Sequence, residues 1–360
     1  MSNAFLAAII FAVAVAGSAV GVEPLRNFAV RFGLLDNPGP RRVKTTPVPR
    51  IGGLAIYFGF LLAIGVTLVL PVDRFAVEVE RIALLIIAGT IVVGTMFFDD
   101  VIGLRWHTKL IIQVGVALLV VLPRLHDEQA GIVIESFNVP FLGTVELALV
   151  PALLFTVVWI IGMMNALNWS DGLDGLASSI TLIAALILFL HTFFWPRGNP
   201  QFTISLLAIA LAGAVVGFLP FNWHPSRIIM GDTGAMFLGF ALATISIIGG
   251  AKIATALLAL GVPIVDMAWV IVSRAMQGRS PATADRGHLH HRLLDAGWSQ
   301  PQVVAAYATL AGLFGVCGLI LPSRELKLGA LVALGVTVLA LVAWLARPRA
   351  SAPGRADEAA

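Results

Sequence analysis

Residues 147–175 read LALVPALLFTVVWIIGMMNALNWSDGLDG. The first 18 carry no charge, close to the roughly 20 residues a helix needs to cross the ~30 Å hydrocarbon core of a bilayer. The remainder then sets an oxygen-bearing side chain at every third position, Asn165, Asn168, Asp171 and Asp174, with Gly172 and Gly175 leaving the backbone open to close approach. An apolar run that stops at a polar cluster is the unit from which the rest of the chain is built.

Eleven apolar runs of about bilayer length are found, at 4–22, 51–70, 82–98, 106–122, 147–164, 176–194, 203–221, 233–251, 253–273, 303–321 and 328–344. In the fourth, Lys109 has to snorkel toward the headgroups. Composition agrees: 59% of the 360 residues are apolar, 12% are charged, and the mean hydropathy is +0.95. A soluble domain carries about twice that charged fraction, so a soluble globular enzyme is excluded. The 35 Gly and 19 Pro show no period, which excludes a collagen-like chain, and a single Cys excludes a disulfide framework.

The expected fold is therefore all-α, a polytopic membrane protein of about eleven transmembrane helices. Residues 1–346 form one domain and 347–360 a short, disordered cytosolic tail. The first run lacks a basic leader and is kept as a helix rather than a signal peptide. The connections at 23–50, 123–146 and 274–302 are too short to bury cores of their own. With the N-terminus outside and the C-terminus in the cytosol, 16 of the 23 Lys and Arg fall on the inner side, as basic residues near helix ends do. Outside, residues 131–143 (GIVIESFNVPFLG) suggest a small surface hairpin.

This topology collects four polar clusters on the cytosolic face. Asp99 and Asp100 close the third run and Lys109 opens the fourth; adjacent carboxylates at a membrane surface call for a shared cation or donor, which reads as a metal or phosphate site or as a salt-bridged helix end. Asn165, Asn168, Asp171 and Asp174 offer hard oxygens that suit Mg²⁺, where a helix cap needs only one such residue. Gly231-Asp232-Thr-Gly234 is a weak signal alone and gains weight from its neighbours on the same face. Arg286-Gly-His288-Leu-His290-His291-Arg292 supplies donors for phosphate oxygens. Three His also suit zinc, but alternation with Arg puts positive charge where the cation would sit. Pro47, Pro49, Gly52 and Gly53 shape the mouth of the second run, and Asp266, inside the ninth run after Pro263, reads as a polar contact satisfied within the bundle.

Metal oxygens, a Lys and a His/Arg loop at a membrane face describe phosphoryl transfer at the bilayer surface. At these residues the chain resembles the polyprenyl-phosphate N-acetylhexosamine-1-phosphate transferases. The resemblance rests on Pro49-Arg-Ile-Gly-Gly53, Asp99-Asp100, Asn165-x-x-Asn168-x-x-Asp171-Gly-x-Asp174-Gly-Leu, Gly231-Asp-Thr-Gly234 and His288-Leu-His-His291, in family order from about residue 40 to 295. It implies transfer of an N-acetylhexosamine-1-phosphate, GlcNAc-1-phosphate foremost, from a UDP-sugar to undecaprenyl phosphate, with release of UMP. The setting implied is the bacterial inner membrane, with Mg²⁺ as cofactor or Mn²⁺ in its place.

Carried over by resemblance, Asp99, Asp100, Lys109 and His290 form the catalytic set, and Asp232 with Asn168 binds the metal. Lys44, Asn165, Asp171, Asp174, Arg286, His288, His291 and Arg292 bind substrate, Asp174 at the uracil. His-Leu-His-His in place of three consecutive His, and eleven runs in place of ten, resemble the branch that primes O-antigen, common-antigen or teichoic-acid synthesis more than the branch that makes phospho-MurNAc-pentapeptide lipid. The expected partners are the UDP-sugar, the polyprenyl phosphate, the bilayer and a second copy in a homodimer, with no nucleic acid. A lipid-sugar transporter or flippase is the alternative from another class; it predicts polar residues near the midplane and repeated halves, and neither is evident.

Overall fold

The computed structural model describes residues 1–36, 47–194, 201–250, 253–280 and 287–345. Thirteen helices are found among them: α1 (Asn3–Phe32), α2 (Gly53–Val69), α3 (Ala76–Ile102), α4 (Trp106–Val121), α5 (Leu149–Ser170), α6 (Leu176–Phe194), α7 (Phe202–Asn222), α8 (Gly231–Ile248), α9 (Ile253–Ala259), α10 (Gly261–Met276), α11 (Leu289–Asp295), α12 (Gln300–Ile320) and α13 (Arg324–Leu345). Each of the eleven apolar runs is helical. Nine of the described helices are long and apolar enough to cross a membrane, the bent α9–α10 pair makes a tenth, and α2, at 17 residues, is a shorter apolar helix. The protein is a polytopic membrane protein. The tail expected at 347–360 lies outside the described residues.

Helices α7 and α8 form the centre. Almost every side chain of α8 is buried, whereas α13 turns most of its apolar surface outward, as a helix facing lipid does. Lipid is as apolar as Leu, so helices in it associate by close packing of small residues. The α7 segment Ala208–Gly217 is rich in Ala and Gly, and a Cβ at Gly213 or Gly217 would collide with the α1 carbonyls of Phe11 and Val15.

Three boundaries differ from the sequence expectation. Helix α1 continues ten residues past Val22, through Pro24, with Glu23 paired to Arg26, and stops at Gly33 in the left-handed conformation. The run at 253–273 is not one straight span: it bends by 79° between α9 and α10, and Pro263, with no N–H to donate, stands in the first turn of α10 where no donor is needed. The expected hairpin exists but lies further along than 131–143, pairing β3 (Ser136–Val139) with β4 (Gly143–Glu146). A second strand pair, β1 (Leu35–Asp36) with β2 (Val48–Pro49), was not expected and leads directly into the site.

Candidate active site

The Pro49–Gly53 motif is a backbone zipper. Ile229 donates to the Pro49 carbonyl, Gly52 donates to Ile229 and Gly53 to Met230, each at 2.9 Å. Gly53 then backs onto Gly234 so closely that a Cβ would strike its backbone nitrogen. Two glycine-bearing segments, one before α2 and one at the start of α8, are thereby clamped together. The clamp swings Arg50 over the first turn of α8.

Arg50 Nε lies 2.9 Å from Asp100 Oδ1 and Nη2 lies 3.0 Å from Asp232 Oδ1. Burial alone would lower the Arg50 pKa, but the carboxylates of Asp100, Asp232 and Asp36 outweigh it and hold the guanidinium above its ordinary value. The two adjacent acids of α3 diverge. The Asp100 carboxylate is fully buried and caps α8 from a different helix: it accepts the N–H groups of Asp232 and Thr233, each at 2.9 Å, and the Thr233 hydroxyl at 2.6 Å, satisfying donors that a helix N-terminus leaves orphaned. Asp99 accepts the Leu104 N–H at 2.6 Å and turns toward Lys109. Lys109 Nζ bridges Asp99 Oδ2 at 2.5 Å and Asp232 Oδ2 at 2.6 Å.

Four carboxylates, Asp36, Asp99, Asp100 and Asp232, thus face two cations, Arg50 and Lys109, so negative charge is in excess. With Asp100 committed to the α8 N-terminus, Asp99 and Asp232 remain as hard oxygen donors around Lys109. Among the described residues no three His, Cys, Asp or Glu side chains are grouped to hold a metal ion; Asp99 and Asp232 offer two hard oxygen donors, of the kind accepted by a divalent cation that keeps several of its own waters.

Lys109 also lines a cavity of about 790 Å³ between α4, α5 and α10. Its polar end carries Lys109, Asn168, Arg274 and His288, and its walls are apolar, with Leu110, Val158 and Ile161 among them. Such a space accepts a charged headgroup at one end and a hydrocarbon chain along the rest. Asn165 lines it too, held by an amide pair in which its Nδ2 donates to Gln113 Oε1 at 2.8 Å.

Asp174 folds the neighbouring loop. It accepts from Ser226 N at 3.1 Å, Ser226 Oγ at 2.8 Å and His224 Nδ1 at 3.0 Å, tying the start of α6 to the α7–α8 connection. Asp171 ends α5. His290 is buried against Gly172, where a Cβ would strike its ring; burial, then His291 and His288, hold its pKa well below the usual imidazole value. His291 packs on that ring at 4.3 Å, and Arg292 Nε donates to the Gly287 carbonyl at 2.9 Å. The structure therefore joins Asp99, Asp100, Lys109 and Asp232 in one ion cluster and gathers Lys109, Asn165, Asn168 and His288 around one cavity. Asp174 stands in a separate network. Lys44 and Arg286 lie outside the described residues.

Asp266 is satisfied by the histidine loop, His288 Nδ1 and the Leu289 N–H being its partners. Sequence reasoning did not single out Gln113, His224, Ser226, Trp169 or Arg274 as site residues. Gln113, the one uncharged polar side chain between residues 110 and 122, was a visible signal; the others become neighbours of the site only through the fold.

The family model described as glycosyl transferase family 4 matches residues 82–250. The chain is similar to a probable undecaprenyl-phosphate N-acetylglucosaminyl 1-phosphate transferase of Bacillus subtilis, 31% identical over 84% of this chain and 82% of that protein. It is also similar to a decaprenyl-phosphate N-acetylglucosaminephosphotransferase of Mycobacterium tuberculosis, 33% identical over 88% of this chain and 84% of that one. A phospho-N-acetylmuramoyl-pentapeptide-transferase of Staphylococcus saprophyticus is 28% identical over 81% of this chain and 90% of its own length.

Proposed function

The chain belongs to glycosyl transferase family 4, and we propose that it transfers GlcNAc-1-phosphate from UDP-GlcNAc to undecaprenyl phosphate in a bacterial plasma membrane, releasing UMP and priming an envelope polysaccharide. The observation that carries this reading is Lys109. One ammonium joins the carboxylate cluster to the polar end of an apolar cavity of about 790 Å³, so the charge that steadies a phosphate stands where a prenyl chain has somewhere to lie.

A phosphate monoester has a second pKa near 6, so the lipid phosphate is largely a dianion at neutral pH and needs no strong base. Its oxygen attacks the sugar-bearing phosphorus, and the bond to UMP breaks as the new P–O bond forms. Lys109 and Arg274 neutralise charge at the cavity, and Asp99 orients Lys109 and takes any residual proton. Arg50 and Asp100 hold the start of α8 so that Asp232 faces Lys109. Magnesium, held by Asp232 with Asn168, would supply further charge neutralisation to the phosphates.

The end of the bundle that carries this chemistry is also where most Lys and Arg fall, which supports a cytosolic active site with the N-terminus outside. Its His-Leu-His-His loop and its higher identity to the N-acetylglucosamine enzymes favour GlcNAc over a MurNAc-pentapeptide substrate. Purified protein in detergent, given polyprenyl phosphate, Mg²⁺ and a panel of UDP-sugars, should release UMP from UDP-GlcNAc in preference to the others. A carrier would release none, and a ³²P-labelled enzyme trapped without lipid would replace direct attack by a covalent route.

A further inference from the structure

Of all the acids, Asp266 alone falls within an apolar run, and the reaction above makes no use of it. Its helix, α10, starts after the 79° bend and brings it beside the histidine loop. The carboxylate is buried, and both oxygens reach out of the helix: Oδ2 accepts from His288 Nδ1 at 3.0 Å and Oδ1 accepts the Leu289 N–H at 2.8 Å. A carboxylate can only accept, so Nδ1 carries the hydrogen and Nε2 is the ring nitrogen left for the cavity that His288 lines. Two rings hold the imidazole in place. Trp169 meets it edge-on at 5.5 Å and 73°, and His290 stacks on it at 5.5 Å and 13°.

We infer that Asp266 is a positioning residue for His288: it sets the Nδ1–H tautomer, presents Nε2 to the cavity and shares the charge when that nitrogen donates to a substrate phosphate. A carboxylate behind an imidazole does this wherever a histidine must keep one orientation through a reaction. A bundle contact alone would need neither a second hydrogen bond to the loop backbone nor a partner on the cavity wall. The inference rests on the proposed transferase reaction. The phosphate belongs either to the UDP-sugar or to the lipid, and kinetics with each substrate varied separately decides which.

Asp266→Asn keeps the shape of the side chain. Its oxygen still accepts the Leu289 N–H, while its NH₂ faces Nδ1 and forces the hydrogen onto Nε2. The variant should lose about tenfold in kcat/KM, the scale of one charge-assisted hydrogen bond, and the KM that rises names the phosphate involved. His288→Ala should lose at least as much, and the double variant should be no worse than His288→Ala, within about twofold. Losses that multiply, or an Asp266→Asn enzyme with wild-type kinetics, would overturn the pairing. Histidine-selective nitrogen NMR, with His288→Ala assigning the ring, reads the tautomer without turnover: Nδ1–H in the wild type and Nε2–H in Asp266→Asn. A wild type that releases no UMP defeats the reaction but leaves this readout standing; a wild-type His288 protonated only on Nε2 defeats the positioning role. Should Asp266→Asn not fold, Asp266→Glu, which moves the carboxylate by one methylene, carries the same kinetic comparison.

Discussion

Asp99 and Asp100 are neighbours with buried carboxylates but different partners, and the difference predicts different failures. Asp100 is spent on the α8 N-terminus and Arg50, so Asp100→Asn should lower stability by about 1–3 kcal/mol, the cost of a weakened buried charged acceptor, and activity should fall with it. Asp99 is also buried, but it accepts a single N–H and pairs with Lys109 rather than with a helix terminus; Asp99→Asn should abolish UMP release with a smaller loss of melting temperature in detergent than Asp100→Asn. The comparison is a thermal melt beside an activity assay, and equal melting losses in both variants would contradict the division. Asp232→Asn should weaken the Mg²⁺ dependence together with activity, read from UMP release across a Mg²⁺ titration. The sequence shows two acids side by side but not which way each turns, because that depends on which helix arrives opposite. The same holds for Asp232, whose Gly-Asp-Thr-Gly setting suggests a self-made cap, whereas the cap comes from α3.

At the scale of elements, most of the architecture is legible in the runs of apolar residues, since length and hydropathy alone decide whether a helix can cross a bilayer. What is not legible is set by contacts. Ten residues of α1 beyond Val22 are helical although Pro24 and two arginines interrupt the apolar pattern, and the α9–α10 bend depends on where Pro263 falls in a helical turn. The Pro49–Gly53 motif reads as shape at a helix mouth, and only its pairing with residues 229–230 explains both glycines. The histidine loop gives the prediction proper to this scale. His290 is held neutral by burial and its His neighbours, so its folded pKa lies below the unfolded value of about 6.5. The unfolded or undocked loop then binds the proton more readily, and docking is complete above that pH and lost as pH falls toward the folded pKa. The protection factors for hydrogen exchange at residues 287–295, corrected for the intrinsic slowing of amide exchange at lower pH, should therefore fall below about pH 6 and stay constant above pH 7. Gly172→Ala, which pushes a methyl into the His290 ring, should loosen the same segment at every pH, by about 1–3 kcal/mol.

Across the whole molecule, the few charges are distributed in a way that supports the proposed orientation and with it the proposed source of the substrate. Arg50, Lys109, Arg274 and Arg292 lie at the end of the bundle that holds the carboxylates and the histidines, while the β3–β4 hairpin, with Phe141 and Leu142 exposed at its turn, follows α4 at the opposite end. Basic residues are retained on the cytosolic side, and a cytosolic nucleotide sugar needs its phosphates met by cations there. The chain's single Cys317 lies half-buried in α12, so a Cys317→Ser background leaves no other thiol. A cysteine placed at the exposed His107, between α3 and Lys109, should then react with a membrane-impermeant maleimide in inside-out vesicles and stay unlabelled in spheroplasts. One placed at Phe141 should do the reverse. If position 107 is labelled from outside, the active site faces away from the nucleotide pool, and the proposed reaction loses its substrate even with every residue of the site in place.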